Sequence, residues 1–573
     1  MNWKTGLSIA VAVVLIGALV VMTGPKKASL LLINGKIYQG DGTPWTAEAL
    51  AVRDGKIAAL GTTREITRRY DADRVIDLRG RSVYPGFTDA HGHIESLGAA
   101  LLNLDLAGTT SPGEIRGRLQ EWRKQLKSGQ WIRGRGWDQN DWAEKKFPHH
   151  RDLDDVAGDV PVVLSRVDGH AVWVNQRVLE IAGITRETRD PEGGMIVRDP
   201  DGAPTGVFVD AAVDLLQSVL PRPSEEDRSA AIRRSLAMCV SLGLTAVHDM
   251  GVDSAGLELY RRLGGRRELP LRVYAVIEGS DTALVSASFA RGPEVDLYNG
   301  MLTIRAVKMY ADGALGSYGA ALLEPYSDAP GNRGLTLTSS AALTDLCTRA
   351  IDRGFQVCTH AIGDRANAIV LDAYEAAQSR AAGANREDPR FRIEHAQVVA
   401  PADIPRFKRL SVLPSMQPTH CTSDMPWAGV RLGEARLRGA YAWRSFLDVG
   451  SIIPGGSDFP VEHPNPLLGF YAAVTRQDLN GQPPDGWHAG QRMSRMEALM
   501  SFTAWAAYAA FQERSRGSLE EGKLADLVVL SEDIMTIEPA RIPRVLVDVT
   551  IVNGAIRYER TAVQTPDPHQ NPS

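Results

Sequence analysis

Eight short apolar runs alternate with longer segments of helical periodicity. The two ends of the chain share a β-rich texture, and one gap is far too long for a single crossover helix. These three observations predict an α/β protein. The architecture they specify is a (β/α)8 TIM-like barrel, with a β-sandwich domain built from both chain ends and a subdomain inserted after barrel strand 1.

Residues 1–27 read as a separate object, an N-terminal signal or membrane anchor. Lys4 precedes an uncharged, mostly apolar run from Gly6 to Met22, which is followed by Pro25-Lys26-Lys27. The run is at the short end of what spans a hydrocarbon core of about 30 Å. It carries no convincing Ala-x-Ala cleavage site and no cysteine for lipidation, which favours an uncleaved anchor over a removed signal peptide. The expected location is therefore exported: membrane-anchored through this segment, or periplasmic or extracellular.

Residues 28–82 and 517–560 predict the composite β-sandwich. Leu30 to Tyr38 and Leu50 to Leu60 read as short strands broken by Asn34-Gly35 and Asp54-Gly55 turns. Ala525 to Leu530 and Val547 to Ile556 repeat that texture. The barrel occupies residues 83–516. Its first strand ends near His93, and the next three are Leu244 to Asp249, Leu271 to Val276 and Ile304 to Lys308. Phe355 to His360, Phe391 to His395, Val412 to Met416 and Ile452 to Asp458 complete the eight. Residues 98–222 form the insertion, because one crossover does not need that length. The tail, 561–573, has three prolines and no apolar periodicity, and reads as disordered.

A net charge of −5 shows no basic excess, so nucleic acid is not the expected partner and a small-molecule substrate is. A homodimer is compatible with the chain. Cys239, Cys347, Cys358 and Cys421 are far apart with no CxxC spacing, so buried free thiols are expected rather than disulfides or a zinc knuckle.

The strand ends carry the chemistry. His91 and His93 lie two positions apart, so on a strand they share a face and can grip one ion. Lys308, His360, His395 and Asp458 close later strands. Imidazole nitrogens and carboxylate oxygens suit zinc and related divalent ions. Each histidine alone reads as a core or loop residue; four of them with an aspartate around one barrel mouth read as a metal site. Lys308 either pairs with a carboxylate or substrate, or becomes a ligand if its amine is carboxylated by CO2. His248 and His420 stand near strand ends as pocket, core or supporting residues, and His149, His150, His463, His488 and His569 as loop or surface residues.

The motifs Pro85-Gly86-Phe87-Thr88-Asp89-Ala90-His91-Gly92-His93, Asp168-Gly169-His170, Lys308-Met309-Tyr310-Ala311-Asp312-Gly313, His360-Ala361-Ile362-Gly363-Asp364, Ile393-Glu394-His395-Ala396 and Gly456-Ser457-Asp458 resemble the amidohydrolase superfamily. The likeness extends from about residue 30 to about 558. Within that superfamily it points to the amidohydrolase-3 group, which includes proteins similar to N-substituted formamide deformylase. It implies a metal-dependent barrel hydrolase with His91, His93, Lys308, His360, His395 and Asp458 as the ligands of one or two divalent ions, zinc foremost. It also implies that Lys308 is the carboxylated bridge and that Asp458 is the catalytic acid/base, shuttling a proton from water to the leaving nitrogen of an amide-type substrate.

Asp168, His170 and Asp312 are expected to contact substrate, since glycine beside each lets backbone approach a ligand. The Trp131 to Trp142 segment, Trp137 included, reads as a lid over an apolar substrate or as the aromatic core of the insertion. Two other classes stay open: a metal-dependent esterase or phosphoesterase, and a non-catalytic, membrane-tethered binding protein.

Overall fold

Asp54-Gly55 and Asn553-Gly554 both hold two successive residues at positive φ (53° and 74°; 56° and 73°), the geometry that closes a two-residue hairpin. The computed structural model describes residues 24–126, 129–221, 223–381 and 388–561. The apolar run expected to anchor the chain lies outside them, as does the tail beyond Thr561. Among the described residues no helix is long and apolar enough to cross a membrane. The first strand, Lys26–Ile33, begins inside the stretch assigned to the anchor: Lys26 and Lys27 already pair with Tyr70 and Asp71.

Two sheets form the terminal β unit. One is ordered Lys56–Gly61, Ala49–Arg53, Lys26–Ile33, Tyr70–Asp77; the other Ala555–Glu559, Val547–Val552, Leu527–Leu530, Ser82–Pro85, Lys36–Tyr38, Thr46–Ala47. In the second sheet Leu527–Leu530 runs antiparallel to Ser82–Pro85, so strands from before and after the barrel share one sheet. Leu30, Leu32, Val83, Leu527, Val529 and Ile551 form the apolar core of the unit.

Seven parallel strands form the barrel wall: β1 (Phe87–Gly92), β2 (Leu244–Val252), β3 (Arg272–Glu278), β4 (Leu302–Tyr310), β5 (Gln356–Ala361), β6 (Arg392–His395) and β7 (Leu413–Ser415). The expected eighth strand has no continuous ladder. Instead the segment 452–459 is pinned on both sides: Met416 N donates to Pro454 O and Gly456 N to Met416 O, while Ala90 N donates to Gly455 O and Asp458 N to His91 O. Pro454 lacks an N–H, and a side chain at Gly456 would place its Cβ 2.6 Å from His91 N, so the closure is irregular but tight.

Between β1 and β2 the chain builds a six-stranded sheet from Leu104–Asp105 to Pro204–Asp210. It returns along the helix Glu225–Ser241, which packs on the helix Ile94–Ala100. Gly98 permits that approach, since a Cβ there would lie 1.9 Å from Ala231 O. All four cysteines are free and buried.

A buried ion pair fastens the terminal unit to the barrel. Arg272 on β3 donates from Nε and Nη2 to Asp526 at 2.6 and 3.0 Å, both side chains being 3% exposed. Asp526→Ala, which strands the guanidinium, is expected to cost about 3–5 kcal/mol. Urea unfolding checks this; in the Arg272→Met/Asp526→Leu double variant most of the loss should be regained.

Candidate active site

β1 delivers His91 from its end, and His93 follows as the residue preceding the helix Ile94–Ala100. Each ring is oriented through Nδ1. His91 Nδ1 donates to Glu394 Oε2 at 2.6 Å, and His93 Nδ1 to Met250 O at 3.0 Å. Because a carbonyl can only accept, and Glu394 is held ionised, both Nε2 atoms are unprotonated and present a lone pair. Burial would push the Glu394 carboxyl up, but Arg392, with Nε 2.7 Å from Oε1, and His91 hold it far below the usual range.

Asp458, from the irregular closing segment, meets those lone pairs. Its Oδ1 lies 3.1 Å from His93 Nε2 and 3.4 Å from His91 Nε2. His395, at the end of β6, donates Nδ1 to Gln417 Oε1 at 2.8 Å, and its ring is 4.8 Å from that of His91 and 4.6 Å from that of His360. His360 Nε2 rests 3.4 Å from Gly313 O and 3.6 Å from Asp312 Oδ1, and the residue lines the cavity. Lys308 Nζ, buried on β4, is 3.4 Å from His91 Nε2, and burial lowers its pKa. The six side chains, from five places along the chain, thus surround one volume. Both His395 (φ 72°) and Asp458 (φ 58°) occupy the left-handed region, a strain of about 1–3 kcal/mol each of the kind concentrated at functional sites.

The donor set fits a divalent cation. Ligand atoms of His91, His395 and Asp458 all lie within 4.8 Å of one another. Asp458 Oδ1 is buried with no hydrogen-bond donor, although two imidazole lone pairs face it. Electron-rich atoms so arranged repel unless a cation lies among them. Burial, and after it Lys308, lowers His91 to about 4, and burial likewise takes His360 and His395 well below 6.5, so the rings are neutral, as ligands must be.

The cavity wall adds further groups. Asp168, His170, His360, His395 and Asp458 line it. Arg166 is clamped by Asp138 and Asp168, and His170 Nδ1 meets Asp210 at 2.6 Å. Burial opposes protonation of His170, but Asp210 outweighs it and raises the ring to about 9. His420, on the helix Pro418–Leu432, lies between Asp458 (Nε2 to Oδ2, 3.4 Å) and Glu462 (Nδ1 to Oε1, 3.2 Å). Against its burial these carboxylates raise it to about 10.

Two expected substrate contacts are placed elsewhere. Trp137 is fully buried in the insertion's core beside Trp142 and Trp173, its Nε1 donating to Leu164 O, so the aromatic segment is core rather than lid at that position. Asp312 sits behind the wall, accepting backbone N–H bonds from Ala321, Ile362 and Gly363, and so shapes the turn that follows β5. His248 is supporting: Arg392 donates to its Nδ1 at 2.9 Å. The roles of Arg392, Glu394 and Asp210 went unassigned in the sequence. The available signal for the first two was a pair of opposite charges two apart, alternating with Phe391 and Ile393 just before His395.

The amidohydrolase family model matches residues 74–558. The chain belongs to the amidohydrolase family. It is 34% identical over 540 residues to YtcJ of Bacillus subtilis strain 168, covering 92% of this chain and 99% of that one. It is 30% identical over 551 residues to N-substituted formamide deformylase of Arthrobacter pascens, covering 93% and 98%. Among solved structures, a metal-dependent hydrolase from Pyrococcus horikoshii OT3 superposes with a TM-score of 0.72 at 27% identity, covering 89% of this amidohydrolase and 99% of the other chain.

Proposed function

We propose that the protein hydrolyses a carbon–nitrogen bond of the amide type in a small molecule, with His91, His93, Lys308, His360, His395 and Asp458 holding one or two divalent ions, zinc foremost. The observation that carries this is the buried, donor-less Asp458 Oδ1 facing two imidazole lone pairs at a barrel mouth. A bound divalent ion supplies Lewis acidity toward a carbonyl and lowers the pKa of water.

The chain's own groups do the rest. Asp458 accepts the proton of the attacking water and returns it to the departing nitrogen. His420, cationic between Asp458 and Glu462, keeps Asp458 in its carboxylate form before attack. His170, protonated through Asp210, offers its remaining N–H to the substrate from the insertion side. Arg166 fixes Asp168 in the same wall. Similarity to N-substituted formamide deformylase supports an amide-type bond as the target.

Metal analysis of the purified protein, with turnover of a panel of N-substituted formamides and N-acyl amines, tests the reading. Stoichiometric metal and turnover lost on chelation are expected; metal-free protein with undiminished turnover would overturn it.

Carboxylation of Lys308 has its own expected result. An uncharged amine is the form that reacts with CO2, and burial favours that form. Lys308→Ala should bind metal at least tenfold more weakly in a titration. Unchanged metal content and activity would refute the bridge. The apolar run 6–22 supports export with membrane attachment; recovery of the full-length protein entirely in the cytosolic fraction would refute that.

A further inference from the structure

Beside the metal cavity lies a larger one, about 570 Å³ against about 250 Å³. Leu97 and Leu101 face it from one side, Met238 from the returning helix, and Leu468, Tyr471 and Leu479 from the other side. None of the candidate metal ligands lines it. The pocket opens to solvent, with Leu101 and Leu479 exposed, and an apolar concavity of this size next to a reactive centre has the character of a ligand site.

The partition between the two cavities is thin. Arg135, Pro460 and Val461 line both, and Val461 stands three residues after Asp458. Arg135 Nη2 donates to Val167 O at 2.6 Å, but Nε is buried with no partner. Among the described residues this guanidinium forms no ion pair, in contrast to Arg166 nearby. A guanidinium without a carboxylate partner, lining both a polar cavity and an apolar one, marks where an amphipathic molecule changes character.

We propose that this chamber receives an apolar arm of the substrate, an alkyl or aryl group carried next to the scissile carbon–nitrogen bond, with the Arg135 guanidinium, which lines both cavities, facing the point where arm and head join. The inference rests on the amide-hydrolase reading of the neighbouring site. It names what that reading leaves open, the class of substituent. The metal cavity suffices for a formyl or acetyl amide; the chamber is the space such a molecule would leave empty.

The test uses two ligand series, N-methyl to N-octylformamide and the N-methylamides of acetic to decanoic acid. Binding is measured by calorimetry on metal-loaded Asp458→Asn protein, and turnover on the wild type. In at least one series, affinity and kcat/KM are expected to rise three- to fourfold per methylene until the chamber is filled, which is the ~0.8 kcal/mol of a buried CH2 converted to a ratio. Ala100→Trp and Met238→Trp, on the two helices packed together along the chamber and checked for unchanged circular dichroism and unfolding midpoint, should each reduce the longest-to-shortest ratio at least tenfold. Turnover with no dependence on length in either series, or a rise that neither tryptophan reduces, overturns the chamber assignment. Rising affinity without turnover upholds the chamber and refutes amide hydrolysis instead.

Discussion

Asp458→Asn is expected to lower kcat by roughly 10³- to 10⁴-fold, at the upper end of what loss of one general acid/base does. The substitution keeps the shape of the side chain but gives it an amide, which cannot take a proton from water and return it to nitrogen. It also puts a neutral group where His91, His93 and His420 converge within 3.1 to 3.4 Å. Metal binding should weaken as well, so the measurement is kcat at saturating metal. A variant that keeps full turnover there would remove Asp458 from the chemistry and leave it a ligand alone.

Glu394→Ala carries the second large effect, and it acts at two levels. The carboxylate is wholly buried between Arg392 and His91. Removing it leaves a cation without compensation inside the barrel, at about 3–5 kcal/mol, visible in urea unfolding. It also frees His91 Nδ1, and loss of a partner that orients a ligand costs roughly 10- to 100-fold in metal affinity. The two consequences separate in Arg392→Met/Glu394→Leu, which removes both charges and leaves His91 Nδ1 no acceptor there: stability should largely return, while metal affinity stays low. If affinity returns with stability, His91 is not oriented by Glu394.

What the sequence disclosed, and what it did not, follows from the range of the interactions involved. The barrel was legible because its strands are short apolar runs with polar ends, a local pattern: His91, Lys308, His360 and His395 each stand at or near the end of such a run. The turns were legible for the same reason, through Asp54-Gly55 and Asn553-Gly554. The irregular closure at 452–459 was not, because Pro454 and Gly456 show their effect only against the backbones of Met416 and His91. Trp137 and Asp312 sat in segments that suggested contact with substrate, yet each is satisfied by distant partners, Trp173 for one and the turn after β5 for the other. His420 lies on a helix rather than a strand and acquires its charge from Asp458 and Glu462, the latter 42 residues on.

The closing segment has a consequence for the order of events during synthesis. Asp458 N donates to His91 O, and Ser457 binds Asp89 through both its backbone N–H and its hydroxyl, so residues made first and residues made some 370 positions later share one set of bonds. A chain still emerging from the ribosome holds β1 with its histidines long before their counterpart exists. Until residue 458 is out, the early histidines lack the carboxylate that completes the pocket. Premature termination therefore yields fragments without hydrolytic capacity, and activity itself reports that the last stave has been laid beside the first.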